Sequence, residues 1–242
     1  RFAFVAREPM VAAGFALLPG LFAMLDPTVH VELAAEEGEE VAPGQRLAII
    51  EGPARALLAG ERTALNFVQR MSGVATLASR YVEAIEGTGA RIVDTRKTIP
   101  GWRLLDKYAT SCGGAQNHRI GLYDGVLIKD NHIAIAGSIT MAVERARAET
   151  PLLTKIEVEC DTLAQVREAV AAGADMILLD NMDPGSLREG VALARAAHIA
   201  TEASGNVSLE TVRAIAETGV DYISVGKLTH SAPAVDIGLD AI

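Results

Sequence analysis

Apolar residues change their rhythm partway along the chain. Up to about residue 72 the pattern is short and mixed. Phe2–Ala6 reads as a strand, Val29–Leu33 alternates like a half-buried strand, and Arg46–Glu51 reads as a third. The acidic turn EEGEE and the Pro43-Gly44 pair separate them, which predicts a small antiparallel sheet with a helix. Met10–Leu25 carries no charge and predicts a buried or amphipathic helix ending at Pro19. It is shorter than a membrane span, and Pro19-Gly20 interrupts it, so no membrane role is expected. From Pro53 to Glu86, Leu57, Leu58, Leu65 and Val68 fall at helical spacing, with a break expected near Ser72-Gly73.

Beyond that point six short apolar runs follow: ARIVDT, GVLIKD, KIEVEC, DMILLD, HIATEA and DYISVG. Their centres lie about 20–35 residues apart, and helix-like segments such as LAQVREAVAAGA and LETVRAIAETG fill the later gaps. That repetition implies parallel strands joined by crossover helices, in either an open doubly wound sheet or a closed barrel. The ends of the runs favour the barrel. They carry Asp94, Arg96 and Lys97; Lys129 to His132; Glu157 and Glu159; Asp180 and Asn181; Glu202, Ser204 and Gly205; Gly226 and Lys227. A barrel gathers the carboxyl ends of its strands at one mouth, whereas an open sheet uses fewer of them along a crevice.

Composition narrows the function. Half the residues are hydrophobic, so a sizeable core is possible, and the net charge of −9 argues against a general nucleic-acid binder. Two cysteines, Cys112 and Cys160, supply neither a disulfide framework nor a zinc set, which suits a reducing cytoplasm. Against this acidic background, Arg91–Lys129 holds seven Lys or Arg and three Asp. A local basic block in an acidic chain implies an anionic ligand, and the fork of an arginine suits a carboxylate. Arg103 and Lys107, spaced i, i+4 on an expected helix, also read as ordinary surface charges.

Glu157 and Glu159 alternate along one strand and so share a face, and Asp180 ends the next strand. Carboxylates on neighbouring strands can hold Mg²⁺ when phosphate completes its shell; the competing reading pairs them with nearby cations. Ser204-Gly205-Asn206 and Gly226 close the last strands, where barrels commonly bind phosphate. Together these residues predict a site for a small organic acid and a sugar phosphate.

Longer strings carry a resemblance. DTRKTIPGWRLLDKYATSCGGAQNHRIGLYDGVLIKDNHI, KIEVECDTLAQVREAVAAGADMILLDNM, EASGNVSLETVRAIAETGVDYISVG and LTHSAPAVDIGLD resemble the quinolinate phosphoribosyltransferase family, the carboxylating nicotinate-nucleotide pyrophosphorylases. The resemblance runs from about Arg1 to the C-terminus. It implies a pentosyltransferase that converts quinolinate and phosphoribosyl pyrophosphate to nicotinate mononucleotide, pyrophosphate and CO₂ with Mg²⁺, in NAD biosynthesis. The paralogue encoded with molybdate transporters, acting on another acid, is the alternative. The implied fold is an incomplete (β/α) barrel of parallel strands over 73–242, with a smaller N-terminal α+β sandwich domain over 1–72 onto which the C-terminal residues can pack back. Because the chain opens on Arg1, the family's first helix is expected to be missing.

By motif, Arg62 of ERTALN resembles an arginine donated to quinolinate across a homodimer interface. Arg96 and Lys97 of DTRK, His118 and Arg119 of NHR, and Lys129 of LIKDNH resemble the remaining anion-binding set. Glu159 of EVE and Asp180 of LLDN resemble the groups at Mg²⁺-pyrophosphate and ribose, and Ser204, Gly205 and Asn206 of EASGN with Gly226 of SVGKLTH resemble the 5′-phosphate cradle. Lys97, Lys129, Glu159 and Asp180 are the expected catalytic residues.

Overall fold

Each apolar run that the sequence marks becomes a strand in the computed structural model, which describes all 242 residues, Arg1–Ile242. In chain order the elements begin with β1 (Phe2–Ala6), β2 (Met10–Val11), a 3₁₀ turn over Phe15–Leu17, α1 (Leu18–Ala23), β3 (His30–Leu33), β4 (Glu40–Val41), β5 (Arg46–Glu51) and α2 (Ala54–Ala84). Next come β6 (Arg91–Val93), α3 (Arg103–Cys112), β7 (Val126–Ile128), α4 (Asp130–Ala136), α5 (Ile139–Glu149), β8 (Ile156–Cys160), α6 (Leu163–Ala171) and β9 (Met176–Asp180). The chain closes with α7 (Pro184–Ala196), β10 (Ala200–Ser204), α8 (Val212–Ala216), β11 (Tyr222–Ser224), α9 (Lys227–His230) and β12 (Ile237–Ala241).

Two compact units result. The first comprises Arg1–Val82, Lys97–Gln116 and Gly226–Ile242. Its antiparallel sheet runs β12-β1-β5-β3, with Phe2 opposite Ala241 on one side and Ile50 on the other, and β2 pairs separately with β4. Phe4, Phe15, Leu18, Phe22, Leu47, Ile50 and Leu57 form its core.

Three sequence expectations are corrected here. The Met10–Leu25 segment is not one helix ending at Pro19. Met10–Val11 is a strand, and Pro19 lies in the first turn of α1, where its missing N–H costs no helical bond. Helix α2 also runs unbroken through Ser72-Gly73. Gly73 serves packing instead: a Cβ there would sit 2.0 Å from the Pro233 carbonyl oxygen. Lys107, which reads as a surface charge, is buried in α3 beside Asp106, and Arg70 of α2 reaches Asp106 at 3.2 Å.

The second unit comprises Glu83–Arg96 and Asn117–Val225. Its six strands are all parallel, in the order β6-β11-β10-β9-β8-β7. β6 and β7 are the two edges and do not pair, so the barrel is incomplete. Ile156, Val158, Ile177, Leu179 and Ile223 are fully buried, as expected for strands covered on both faces. The crossover helices start where their caps dictate. Thr162 and Gln165 form a capping box on α6, and Asp183 accepts from Gly185 and Ser186 ahead of Pro184 on α7. In LETVRAIAETG only Val212–Ala216 is helical, because Ser208 and Thr211 close a turn before it.

Candidate active site

The site is built at the carboxyl ends of the second unit's strands. Asp94, just past β6, is fully buried and accepts the His118 N–H at 2.8 Å and the Asn117 amide at 3.0 Å. That carboxylate fixes the backbone of 117–118. The His118 ring points Nε2 at two buried acids, 3.1 Å from Glu157 Oε2 and 3.3 Å from Glu202 Oε2. Glu157 comes from β8 and Glu202 from β10.

The protons on this ring follow from its neighbours. Burial opposes charge on His118, but hydrogen bonds and attraction from Glu157 and Glu202 prevail and push its pKa up to about 10. Nδ1 lies 2.7 Å from the Arg119 N–H, a hydrogen bond that a second ring proton would displace. Two carboxylate charges outweigh one neutral N–H, so we take the imidazolium as the form at neutral pH. Burial, followed by Glu202, raises the Glu157 carboxyl, and His118 and Arg119 oppose that rise.

Arg119 donates to the Gly125 carbonyl at 2.9 Å. Its pKa is lowered by burial and then by the charge of Arg96, which places the two guanidiniums in one field. Three cations, Arg96, His118 and Arg119, thus stand over two buried acids. Beside them Lys129, at the start of α4, forms an ion pair with Glu159 of β8.

The ends of β9 and β10 make a second feature. Asp180 lies in register with Ser204, and Asn181 donates its backbone N–H to the Ser204 carbonyl at 2.9 Å. Gly205 has φ +99°, and a Cβ there would meet Asn181 Oδ1 at 2.2 Å, so only glycine fits. Asn206 reaches Asn181 at 3.4 Å. The result is a narrow glycine turn beside a carboxylate.

Of the residues singled out in the sequence, Arg96, His118, Arg119, Lys129, Glu159, Asp180, Ser204, Gly205 and Asn206 belong to this second unit. Arg62, Lys97 and Gly226 belong to the first. There Arg62 is exposed on α2, and Lys97 runs beside Gly226, whose Cβ would meet its Cδ at 3.1 Å. The sequence marks Glu157 as a candidate Mg²⁺ carboxylate and Glu202 as a strand-end group, but not as partners of His118. The three atoms from His118, Glu157 and Glu202 lie within 4.8 Å of one another, close enough to share a proton or a metal ion.

Strand-end cations, paired acids and a glycine turn define an anion-binding barrel enzyme of the class that joins an organic acid to a phosphorylated sugar. The N-terminal domain of "Quinolinate phosphoribosyl transferase" matches residues 1–72 and its C-terminal domain residues 74–240. The chain belongs to this family. It is 47% identical to the "Probable nicotinate-nucleotide pyrophosphorylase [carboxylating]" of Bacillus subtilis, over 98% of this chain and 81% of that protein. The Synechocystis protein of the same description is 45% identical, with the same coverage. The crystal structure of nicotinate-nucleotide pyrophosphorylase from Ehrlichia chaffeensis superposes with a TM-score of 0.94 at 43% identity, covering 99% of this chain and 86% of that one.

Proposed function

We propose that the chain transfers the phosphoribosyl group of phosphoribosyl pyrophosphate to quinolinate and releases nicotinate mononucleotide, pyrophosphate and CO₂. The observation that carries this reading is the cation set over buried acids: Arg96, His118 and Arg119 supply more than one positive group, which suits a dicarboxylate better than a monocarboxylate. Held there, the pyridine nitrogen attacks the anomeric carbon. The carbon–oxygen bond breaks and its electron pair leaves with pyrophosphate. Lys129 and the late-strand glycine turn offset charge on the departing and retained phosphates, while Glu159 or Asp180 offsets positive charge on the ribose. The ring nitrogen is then cationic, so the adjacent carbon–carboxylate bond can break with its electron pair left on the ring. CO₂ departs and water supplies the ring proton. Nicotinate accumulating before pyrophosphate would contradict this order.

Glu159 and Asp180 fit Mg²⁺ by chemistry. They are hard oxygen donors on hydrogen-bonded neighbouring strands, and two carboxylates leave coordination positions for water and phosphate. Bound there, Mg²⁺ would neutralise pyrophosphate. For Lys97 and Gly226, an adjoining cation and glycine suit an anion in the same way.

A homodimer is part of the proposal, with Arg62 reaching quinolinate in the partner. An exposed apolar groove of α1 and α2, including Leu21, Met24, Leu25 and Phe67, lies on the helix that carries Arg62 and supports it. No helix is long and apolar enough to cross a membrane, and both cysteines are free, which suits a cytoplasmic enzyme. The test is incubation of purified protein with quinolinate, phosphoribosyl pyrophosphate and Mg²⁺. Equal amounts of nicotinate mononucleotide, pyrophosphate and CO₂ support the reading, and turnover of nicotinate but not quinolinate contradicts it. For Arg62, mixing Arg62→Ala and Lys129→Ala subunits should restore activity in heterodimers.

A further inference from the structure

Two acids beneath an anion site present a physical puzzle. Glu157 and Glu202 are 5% and 1% exposed, in a unit whose proposed ligand is itself a dianion. Buried carboxylates are costly, and replacing them with apolar groups commonly stabilises a fold. Glu157 Oε1 deepens the puzzle, because it is buried with no hydrogen-bond partner. A carboxylate kept for stability alone would have both oxygens satisfied.

We propose that Glu157 and Glu202 are positioning residues that clamp His118 by Nε2 from two strands and, through the ring, hold the adjoining Arg119 to receive the acid substrate. Two hydrogen bonds and an ion pair fix the histidine: Asp94 accepts its backbone N–H at 2.8 Å, Glu157 meets its Nε2 at 3.1 Å, and Glu202 Oε2, which has no hydrogen bond of its own, stands 3.3 Å from the same atom. The three come from the end of β6 and from β8 and β10, so His118 is set by the rigid sheet rather than by its own loop. The ring has two free torsions, and a second carboxylate removes the swing that one would allow. Nδ1 faces the Arg119 backbone N–H at 2.7 Å, so the clamp that sets the ring also sets the start of Arg119. This role rests on the proposed quinolinate reaction but concerns residues that do not touch the reacting atoms.

The test compares Glu157→Met and Glu202→Met, which remove the clamp while filling the space, with Glu157→Gln and Glu202→Gln, whose amide oxygen can still accept from Nε2. Both Met variants should remain folded at the assay temperature, because each leaves His118 one carboxylate. Their quinolinate KM should rise about tenfold or more, with the phosphoribosyl pyrophosphate KM within about twofold. Either Gln variant should recover most of that loss. In ligand-free protein, NMR should show a slowly exchanging His118 Nε2–H in wild type and Gln variants, lost in the Met variants.

Equal shifts in both KM values that track a falling melting temperature would mean a structural role and overturn the proposal. So would an Nε2–H signal that survives in the Met variants, or a stoichiometric transition metal in purified protein that the Met variants lose. If wild type fails to turn over quinolinate, the reaction assignment falls, and the ligand-free NMR signal still decides the clamp.

Discussion

Gly73→Ala sets two effects of opposite sign against each other. In an ordinary helix interior the change gains about 1 kcal/mol, because alanine loses less backbone entropy. In α2 the new Cβ would stand 2.0 Å from the Pro233 carbonyl oxygen and 3.1 Å from Ala234 Cα. Ordinary contact begins near 3.4 Å, so helix and segment must part by more than 1 Å. The segment is pinned on both sides of Pro233. Arg70 donates to the Ala232 carbonyl at 2.8 Å, Val235 N–H to Gln69 at 3.2 Å, and Gln69 to Ile237 at 2.9 Å. Overpacking costs about 1–3 kcal/mol, and each hydrogen bond stretched adds about 0.5–1.5 kcal/mol. The net is a destabilisation of about 2 kcal/mol, read as a melting temperature about 4–8 °C lower in a chain of this size. Gly20→Ala in α1, where nothing lies within 4 Å, is the control and should be neutral or slightly stabilising. A Gly73→Ala protein as stable as wild type would refute the packing explanation.

Other expectations follow from single contacts. Arg70→Met strands the buried Asp106 without its ion pair and should cost about 3–5 kcal/mol in denaturant unfolding. Lys129→Ala breaks a pair between a half-exposed lysine and a mostly covered Glu159, so stability should fall by about 1 kcal/mol while turnover falls steeply in a kinetic assay. The His118 pKa rises from 6.5 to about 10 on folding, so its contribution is full below pH 6.5 and disappears as pH climbs through about 10. The stability advantage of wild type over His118→Gln, measured by urea titration, should therefore shrink between those values.

The parallel strands were legible because burial on both faces leaves an uninterrupted apolar mark, and polar residues at their ends reveal which edge does chemistry. Gly73 misled because glycine reads as a breaker, whereas here the cause is a carbonyl 160 residues further along the chain. Pro19 misled for a related reason: proline both ends and begins helices, and only the strand pairing of Met10–Val11 with β4 shows which. Lys107 has the spacing of a surface charge, and its burial depends on how α3 packs. The pairing of Glu202 with His118 is the clearest omission. A strand-end acid gives no local sign of its partner, because His118 stands 84 residues earlier and meets it only through the order of the sheet.

The most direct test of the central claim, that these strand-end cations form one dicarboxylate site, is a crystal structure of the protein with quinolinate. The account predicts both carboxylates on Arg96, His118 and Arg119, with Glu157 and Glu202 still on Nε2. Quinolinate bound away from those three residues, or held through one carboxylate only, would contradict it.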